Sequence, residues 1–167
     1  MEAPKYYIHA DGLHDTKIGD LISFINNTPG GLVVAMNSGG GSNGTRCLLQ
    51  QLFAENEDRL TLVALNGIHS AAFELFHKYT GRKALTHGAT GMWHMELVNC
   101  RLAANGLPDT EEDRAIYRGM KSGRIANTEF AKGFMTPDEL IRYQKGEDVY
   151  FDFERMKQIF PDAKIWN

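Results

Sequence analysis

The segment LVVAMNSGGGSNGT, residues 32–45, constrains the fold of this 167-residue chain more than any other stretch. It joins the continuous apolar run Leu32–Met36 to a glycine-rich loop, and an amphipathic segment follows the loop. A short run that is apolar at every position is typical of a strand buried on both faces, as in a parallel sheet. The segment therefore predicts a strand, a tight loop and a helix, the unit from which α/β folds are built.

The same alternation of short apolar runs and helical patterns continues along the chain. Strands are predicted at Lys5–Ala10, Leu32–Met36, Leu60–Leu65, Lys83–Leu85 and Gly91–Met95, and helices at Thr16–Asn27, Thr45–Asn56 and Ser70–Tyr79. Residues 97–167 are predicted to be mostly helical. Together these patterns predict a single α/β domain with parallel strands.

Composition and charge exclude several classes of protein. The formal net charge is −3 without a concentrated basic face, so a nucleic-acid partner is not expected. The apolar run Leu60–Leu65 is too short to cross a bilayer, and residues 1–12 lack the pattern of a signal region, which predicts a cytoplasmic location. Cys47 and Cys100 have no C-x-x-C spacing and the histidines form no metal motif, so neither a metal nor a cofactor is expected.

The glycine-rich loop contains the pattern G-x-G-x-x-G at Gly39, Gly41 and Gly44. A dinucleotide site with this pattern also needs an acidic residue at the end of the next strand, where this chain has Asn66. A P-loop is excluded because no Gly-Lys-Ser/Thr follows. Two interpretations remain: a turn that only needs backbone freedom, or backbone N–H groups that stabilise the oxyanion of an acyl-transfer reaction.

Acyl transfer also requires a nucleophile and a base, and the chain offers a candidate for each. Ser70, in NGIHSAAFELF, follows a buried strand and begins a helix, where the helix dipole and small neighbours favour a nucleophile. Its alternative interpretation is a helix N-cap. His94, in TGMWHMEL, ends a short apolar strand. It is either a general base or a packed core histidine.

Three segments, taken in order, resemble the Clp peptidase family, the proteolytic subunit of ATP-dependent Clp protease. MNSGGGS is similar to the glycine segment of that family, NGIHSAAFELF to its nucleophile segment, and GATGMWHMEL to its histidine segment. The intervals between the segments fit the family within one residue. The resemblance covers about residues 6–97, and the Ser-Ala-Ala variant is most similar to phage-type members, including prohead maturation proteases.

The resemblance implies a Clp/crotonase-like spiral of β-β-α units. The head would be about residues 1–97, and a shortened helical arm and C-terminal part about residues 98–167. It implies a serine endopeptidase that cuts polypeptide through an acyl-enzyme on Ser70, with His94 as general base. The amides of Gly41 and Ala71 would form the oxyanion hole. The resemblance also implies a homo-oligomer, with a ring as one arrangement, and an ATPase as a candidate partner. From charge and the length of the apolar runs, neither a nucleic acid nor a membrane is expected as a partner.

One position departs from the family pattern. The family carries an aspartate shortly before an F-[LM]-[ST] landmark; GFMTPDEL, residues 133–140, matches the landmark, but Lys132 stands at the aspartate position. A lysine cannot accept a hydrogen bond from imidazole. Glu129, Asp138 and Asp148 are the remaining candidates for the third member. Three hypotheses stay open: an active serine endopeptidase, a non-catalytic structural or regulatory subunit, and an acyl-CoA enzyme of the crotonase class.

Overall fold

A computed structural model of the chain describes residues 3–14, 16, 18–95 and 110–167. These residues form six helices and a seven-stranded, mostly parallel sheet, which confirms the predicted α/β class. The strands are β1 (Lys5–His9), β2 (Leu32–Ser38), β3 (Leu60–His69), β4 (Arg82–Leu85), β5 (Thr90–Trp93), β6 (Val149–Phe151) and β7 (Lys164–Ile165). The helices are α1 (Gly19–Asn27), α2 (Asn43–Glu55), α3 (Ala71–Lys78), α4 (Glu111–Lys132), α5 (Pro137–Gln144) and α6 (Phe153–Ile159).

The sheet has the strand order β1-β2-β3-β4-β7, and β5 pairs with both β3 and β6. Strand β3 is ten residues long and divides its pairing between two neighbours on one side. Its residues 61–64 pair with β4, whereas its residues 67–69 pair with β5. On the other side Ile68 lies opposite Ser38 of β2. The end of β3, which leads into Ser70, is therefore bounded by β2 and β5.

The chain divides into two compact units. Unit 1 comprises residues 1–92 and 150–167 and holds the core of the sheet, helices α1 to α3 and the C-terminal segment with α6 and β7. Unit 2 comprises residues 93–149 and holds α4 and α5.

The core of unit 1 is built from the apolar strands and the helices that contact them. Strand β2 buries five of its seven side chains, and β3 buries five of its ten with only Asn66 exposed, as expected for central strands. Helix α3 is the most deeply buried helix, because its residues 71–76 are all buried. A helix enclosed in this way holds its first residue in a fixed position relative to β3.

An arginine joins the end of α1 to the start of β3. The Arg59 guanidinium donates to the carbonyl groups of Thr28 and Ile25, each at 2.6 Å, and to the side-chain oxygen of Asn56. The carbonyl groups at the end of a helix have no partner within the helix. Arg59 satisfies them and fixes the chain reversal that leads into β2.

Strands β6 and β7 were not predicted, because residues 97–167 were expected to be mostly helical. Each has at most three residues, too few for a period of two to be recognised. Strand β3 also continues beyond the predicted Leu60–Leu65 to His69. The Asn66-Gly67 pair is a common turn sequence, but here the chain stays extended because it pairs with β5.

Candidate active site

Ser70 forms the sharp connection between β3 and α3 in unit 1. Its φ of 53° is the only positive φ among the described non-glycine residues, and its ψ is −123°. A non-glycine residue in such a conformation costs about 1–3 kcal/mol and persists only where its surroundings enforce it. Here the Ser70 N–H donates to the Met92 carbonyl at 2.8 Å, and the Ser70 carbonyl accepts from the Glu74 N–H at 3.0 Å. A strained serine between a strand and a helix is the arrangement of the hydrolase nucleophile elbow.

Helix capping does not account for this serine. The Ser70 side chain makes no capping hydrogen bond to α3. Four other described helices begin at Ser42, Thr110, Thr136 and Asp152, whose side chains all accept a hydrogen bond from the helix backbone. These four residues have extended backbones, as an N-cap requires. The N-cap interpretation of Ser70 is therefore disfavoured.

The glycine loop lies directly against Ser70. A Cβ placed on Gly40 would be 2.8 Å from the Ser70 Cβ, 2.8 Å from the His69 carbonyl oxygen and 3.2 Å from the Ala71 nitrogen. The Gly40 φ of +98° is also one that side chains rarely permit. Only glycine allows the loop to approach the start of α3 this closely, so the loop and Ser70 are direct neighbours in the fold.

A short backbone pairing holds the loop in place. The Leu13 N–H donates to the Gly40 carbonyl at 2.7 Å, and the Ser42 N–H donates to the Leu13 carbonyl at 2.8 Å. This parallel bridge leaves the Gly41 N–H on the opposite edge of the loop. A Cβ on Gly41 would collide with the Leu13 backbone. Sequence reasoning missed Leu13, because a single apolar residue in a loop carries no pattern.

The start of α3 favours negative charge near Ser70. The Ala71 N–H is in the first turn of the helix and has no partner within it, and the helix dipole places partial positive charge there. Glu74, also in the first turn, is buried, but its Oε1 lies 2.6 Å from Lys78 Nζ and 3.3 Å from Arg46 Nη1. These two cations balance the carboxylate charge, so the helix terminus can still stabilise an oxyanion.

His69, directly before Ser70, is held by packing. A Cβ on Gly67 would lie 2.9 Å from His69 Nε2, so the ring folds back over this glycine. The ring also contacts Tyr150 edge to face, with 6.1 Å between the ring centroids. Burial lowers the pKa of His69, which favours the neutral form of the ring.

His94 lies directly after β5, in unit 2. The neighbouring Trp93 is buried, and its ring contacts Phe130 edge to face at 5.1 Å between centroids. The His94 side chain is 33% exposed, and its Nδ1 lies 3.8 Å from Oδ1 of Asp148. Unit 2 therefore brings the candidate base together with one of the three carboxylates left open by the sequence.

The other two carboxylates have different surroundings. Glu129 Oε1 lies 2.6 Å from Nζ of Lys132, the residue at the position expected for the aspartate, and both side chains are exposed. Asp138 is exposed in the first turn of α5, where its charge favours the positive end of the helix dipole. Glu129 thus balances the lysine, and Asp138 stabilises a helix start.

Within residues 3–14, 16, 18–95 and 110–167, no group of three or more His, Cys, Asp or Glu side chains is arranged to hold a metal ion. None of the helices in these ranges combines the length and the apolar character needed to cross a membrane.

Comparison of the chain with known protein families finds no family model that matches it, and comparison with curated proteins finds no match either. The resemblance to Clp peptidases therefore stays a prediction.

Proposed function

We propose that this chain is a serine endopeptidase of the Clp type, in which Ser70 is the nucleophile and His94 the general base. The observation that carries the proposal is the backbone of Ser70, which is strained although its side chain caps no helix. Strain of about 1–3 kcal/mol that serves no capping role is typical of functional sites. The close approach of Gly40 to the same residue supports the proposal.

The proposed reaction is acyl transfer to Ser70, with His94 carrying the proton. Ser70 Oγ attacks the carbonyl carbon of a peptide while its proton passes to Nε2 of His94. The N–H groups of Gly41 and Ala71 donate to the carbonyl oxygen as it becomes negative. His94 then gives the proton to the leaving amine, which leaves an acyl-enzyme on Ser70, and water hydrolyses this ester by the same steps in reverse order.

The covalent chain limits how far His94 can lie from the end of β5. The Ser70 N–H is bonded to the Met92 carbonyl, and His94 is only two residues after Met92. Consecutive Cα atoms are about 3.8 Å apart. Two such steps along the chain separate His94 from Met92, the residue to which the Ser70 backbone is bonded. This short separation supports His94 as the base for Ser70.

The fold and partners implied by the resemblance belong to the same proposal. The division of β3 between β4 and β5 is compatible with a spiral of β-β-α units. We propose polypeptide as the substrate and further copies of the chain as partners. Tyr6 and Ile8, which are 60% and 64% exposed on β1, provide apolar surface for such a contact. An ATPase partner and a cytoplasmic location complete the proposal.

A fluorophosphonate probe tests the proposed nucleophile. The probe is expected to modify wild-type protein at Ser70, as located by peptide mass spectrometry, whereas Ser70→Ala should stay unlabelled. Ser42→Ala removes a serine at the other end of the same glycine loop and should still be labelled. His94→Ala should slow labelling strongly, because the base is absent.

Peptide hydrolysis and ligand binding distinguish the alternatives. Folded wild-type protein that neither reacts with the probe nor cleaves unfolded polypeptide would refute the peptidase and favour the non-catalytic subunit. Saturable binding of acetyl-coenzyme A in calorimetry, without labelling of Ser70, would instead favour the crotonase-class enzyme.

A further inference from the structure

We infer that Asp148 orients the imidazole of His94, and so serves as the positioning residue that Lys132 cannot be; this inference rests on the proposed function. Asp148 Oδ1 lies 3.8 Å from His94 Nδ1. That separation is longer than the usual hydrogen bond of about 2.7–3.2 Å. Hydrogen bonds of catalytic groups are often long without substrate and shorten in the complex.

The backbone on both sides of Asp148 is fixed by buried residues. Tyr143, at the end of α5, is fully buried, and Val149, at the start of β6, is buried as well. Between them the chain turns at Gly146, which has a φ of +85° and donates its N–H to the Tyr143 carbonyl at 2.9 Å. A residue between two buried anchors and a hydrogen-bonded turn can present its side chain in a defined direction.

The acid next to Asp148 is held elsewhere. Glu147 Oε2 accepts from Nε of Arg142 at 2.9 Å, and the Glu147 N–H donates to the Arg142 carbonyl at 3.2 Å. These contacts tie Glu147 to the end of α5. Of this pair of adjacent carboxylates, Asp148 is the one that lies beside the imidazole.

Buried residues of unit 2 anchor the segments that carry His94 and Asp148, the two members of the proposed contact. Trp93, which precedes His94, is buried against Phe130. Helix α4, which carries Phe130, contacts α5, and Tyr143 near the end of α5 is fully buried. Because Tyr143 lies just before the turn that leads to Asp148, buried residues of unit 2 fix the segment of each member, Trp93 beside His94 and Tyr143 before Asp148.

The expected role follows from imidazole chemistry. A carboxylate at Nδ1 accepts the Nδ1–H, so the lone pair of Nε2 is available for the Ser70 proton, and it stabilises the imidazolium that forms. Loss of the orienting carboxylate in a well-studied triad lowers kcat about 10⁴-fold. Asp148 is 50% exposed, and solvent weakens its contribution, so we expect a loss of about 10²- to 10⁴-fold.

Substitutions at Asp148 and its neighbour test the inference. D148N is expected to lower kcat for peptide cleavage, and the rate of Ser70 acylation by the fluorophosphonate, with little change in KM. D148E should restore part of the rate. E147Q is the matched control and should behave like wild type. If D148N reacts at the wild-type rate while S70A is inert, the inference is overturned and the proposed peptidase stands.

The tautomer of His94 gives a second readout that does not depend on activity. Long-range ¹H–¹⁵N NMR of the labelled ring should show the proton on Nδ1 in wild type and a shift of the population toward Nε2–H in D148N. If this shift occurs but wild-type Ser70 is unreactive, the orienting contact stands and the peptidase fails. An identical tautomer in wild type, D148N and E147Q would overturn the inference whatever the activity.

Discussion

Replacing Ser70 by glycine is expected to stabilise the fold although it removes the proposed nucleophile. The backbone at this position, with φ 53° and ψ −123°, costs a residue with a Cβ about 1–3 kcal/mol. Glycine adopts it freely but loses about 0.5–1 kcal/mol more in conformational entropy on folding. The balance is a gain of about 1 kcal/mol, which corresponds to about 2–4 °C in Tm for a chain of this length.

Ser70→Ala separates the strain from the hydroxyl group. Alanine keeps the Cβ and therefore the strain, and no capping hydrogen bond is lost with the hydroxyl. The difference in the free energy of unfolding between Ser70→Ala and Ser70→Gly therefore measures the strain, because both variants lack the hydroxyl. Ser70→Gly should be the most stable of the three proteins.

Ser42 provides the matched control, because it starts α2 with ordinary N-cap geometry. Its φ is −70°, its ψ is 137°, and its Oγ accepts from the Thr45 N–H at 3.2 Å. Ser42→Ala should lose about 1 kcal/mol and Ser42→Gly a few tenths. Urea unfolding of wild type and the four variants measures both series. At Ser42, wild type should be more stable than Ser42→Gly. If wild type is also more stable than Ser70→Gly, the reasoning from backbone strain is refuted.

Three further results are expected. Gly40→Ala should lower both stability and Ser70 acylation, because its Cβ would meet the backbone that ends β3, whereas Gly39→Ala has open space around its Cβ and should change neither; equal behaviour of the two variants would contradict this. Burial lowers the pKa of His77 from 6.5 to about 4, so the unfolded chain takes up the proton first and wild type loses stability as the pH falls through this window. His77→Phe should remove the part of this acid-induced loss of stability that His77 causes. If urea unfolding shows the same pH dependence for His77→Phe and wild type, His77 does not cause it. Arg59→Lys should cost about 2 kcal/mol, because one ammonium cannot replace the guanidinium bonds at the end of α1; exposed Arg114→Lys should change stability by under about 0.5 kcal/mol, and a similar small effect at Arg59 would disprove its role.

The sequence predicted strands and helices where one short segment decides them. Helices α1 to α3 and strands β1 to β5 lie within a few residues of their predicted positions, because their apolar patterns depend on neighbours only one to four residues away. Strands β6 and β7 were missed because their partners β5 and β4 are far away along the chain. A strand of two or three residues exists only through such pairing.

Some features of the candidate site could be predicted from the sequence, and others could not. The glycine loop and Ser70 were recognised because each lies at a junction between a strand and a helix. The strain at Ser70 could not be predicted, since it depends on the bond to the Met92 carbonyl and on the burial of α3. The pairing of Leu13 with Gly41, which holds the loop, could not be predicted either, because it also joins separate segments of the chain.

By itself, the amino-acid sequence determined the α/β class and the glycine loop, and it singled out the serine and histidine proposed here as nucleophile and base, because these follow from residue types and short spacings. Only the tertiary structure decided that Ser70 is strained without capping α3, and that Asp148, among three carboxylates, lies beside His94. The physical reason is that backbone strain and the approach of distant side chains are set by packing between segments. Contacts between distant segments produce no periodic pattern in the sequence of any one segment, so they cannot be predicted from it.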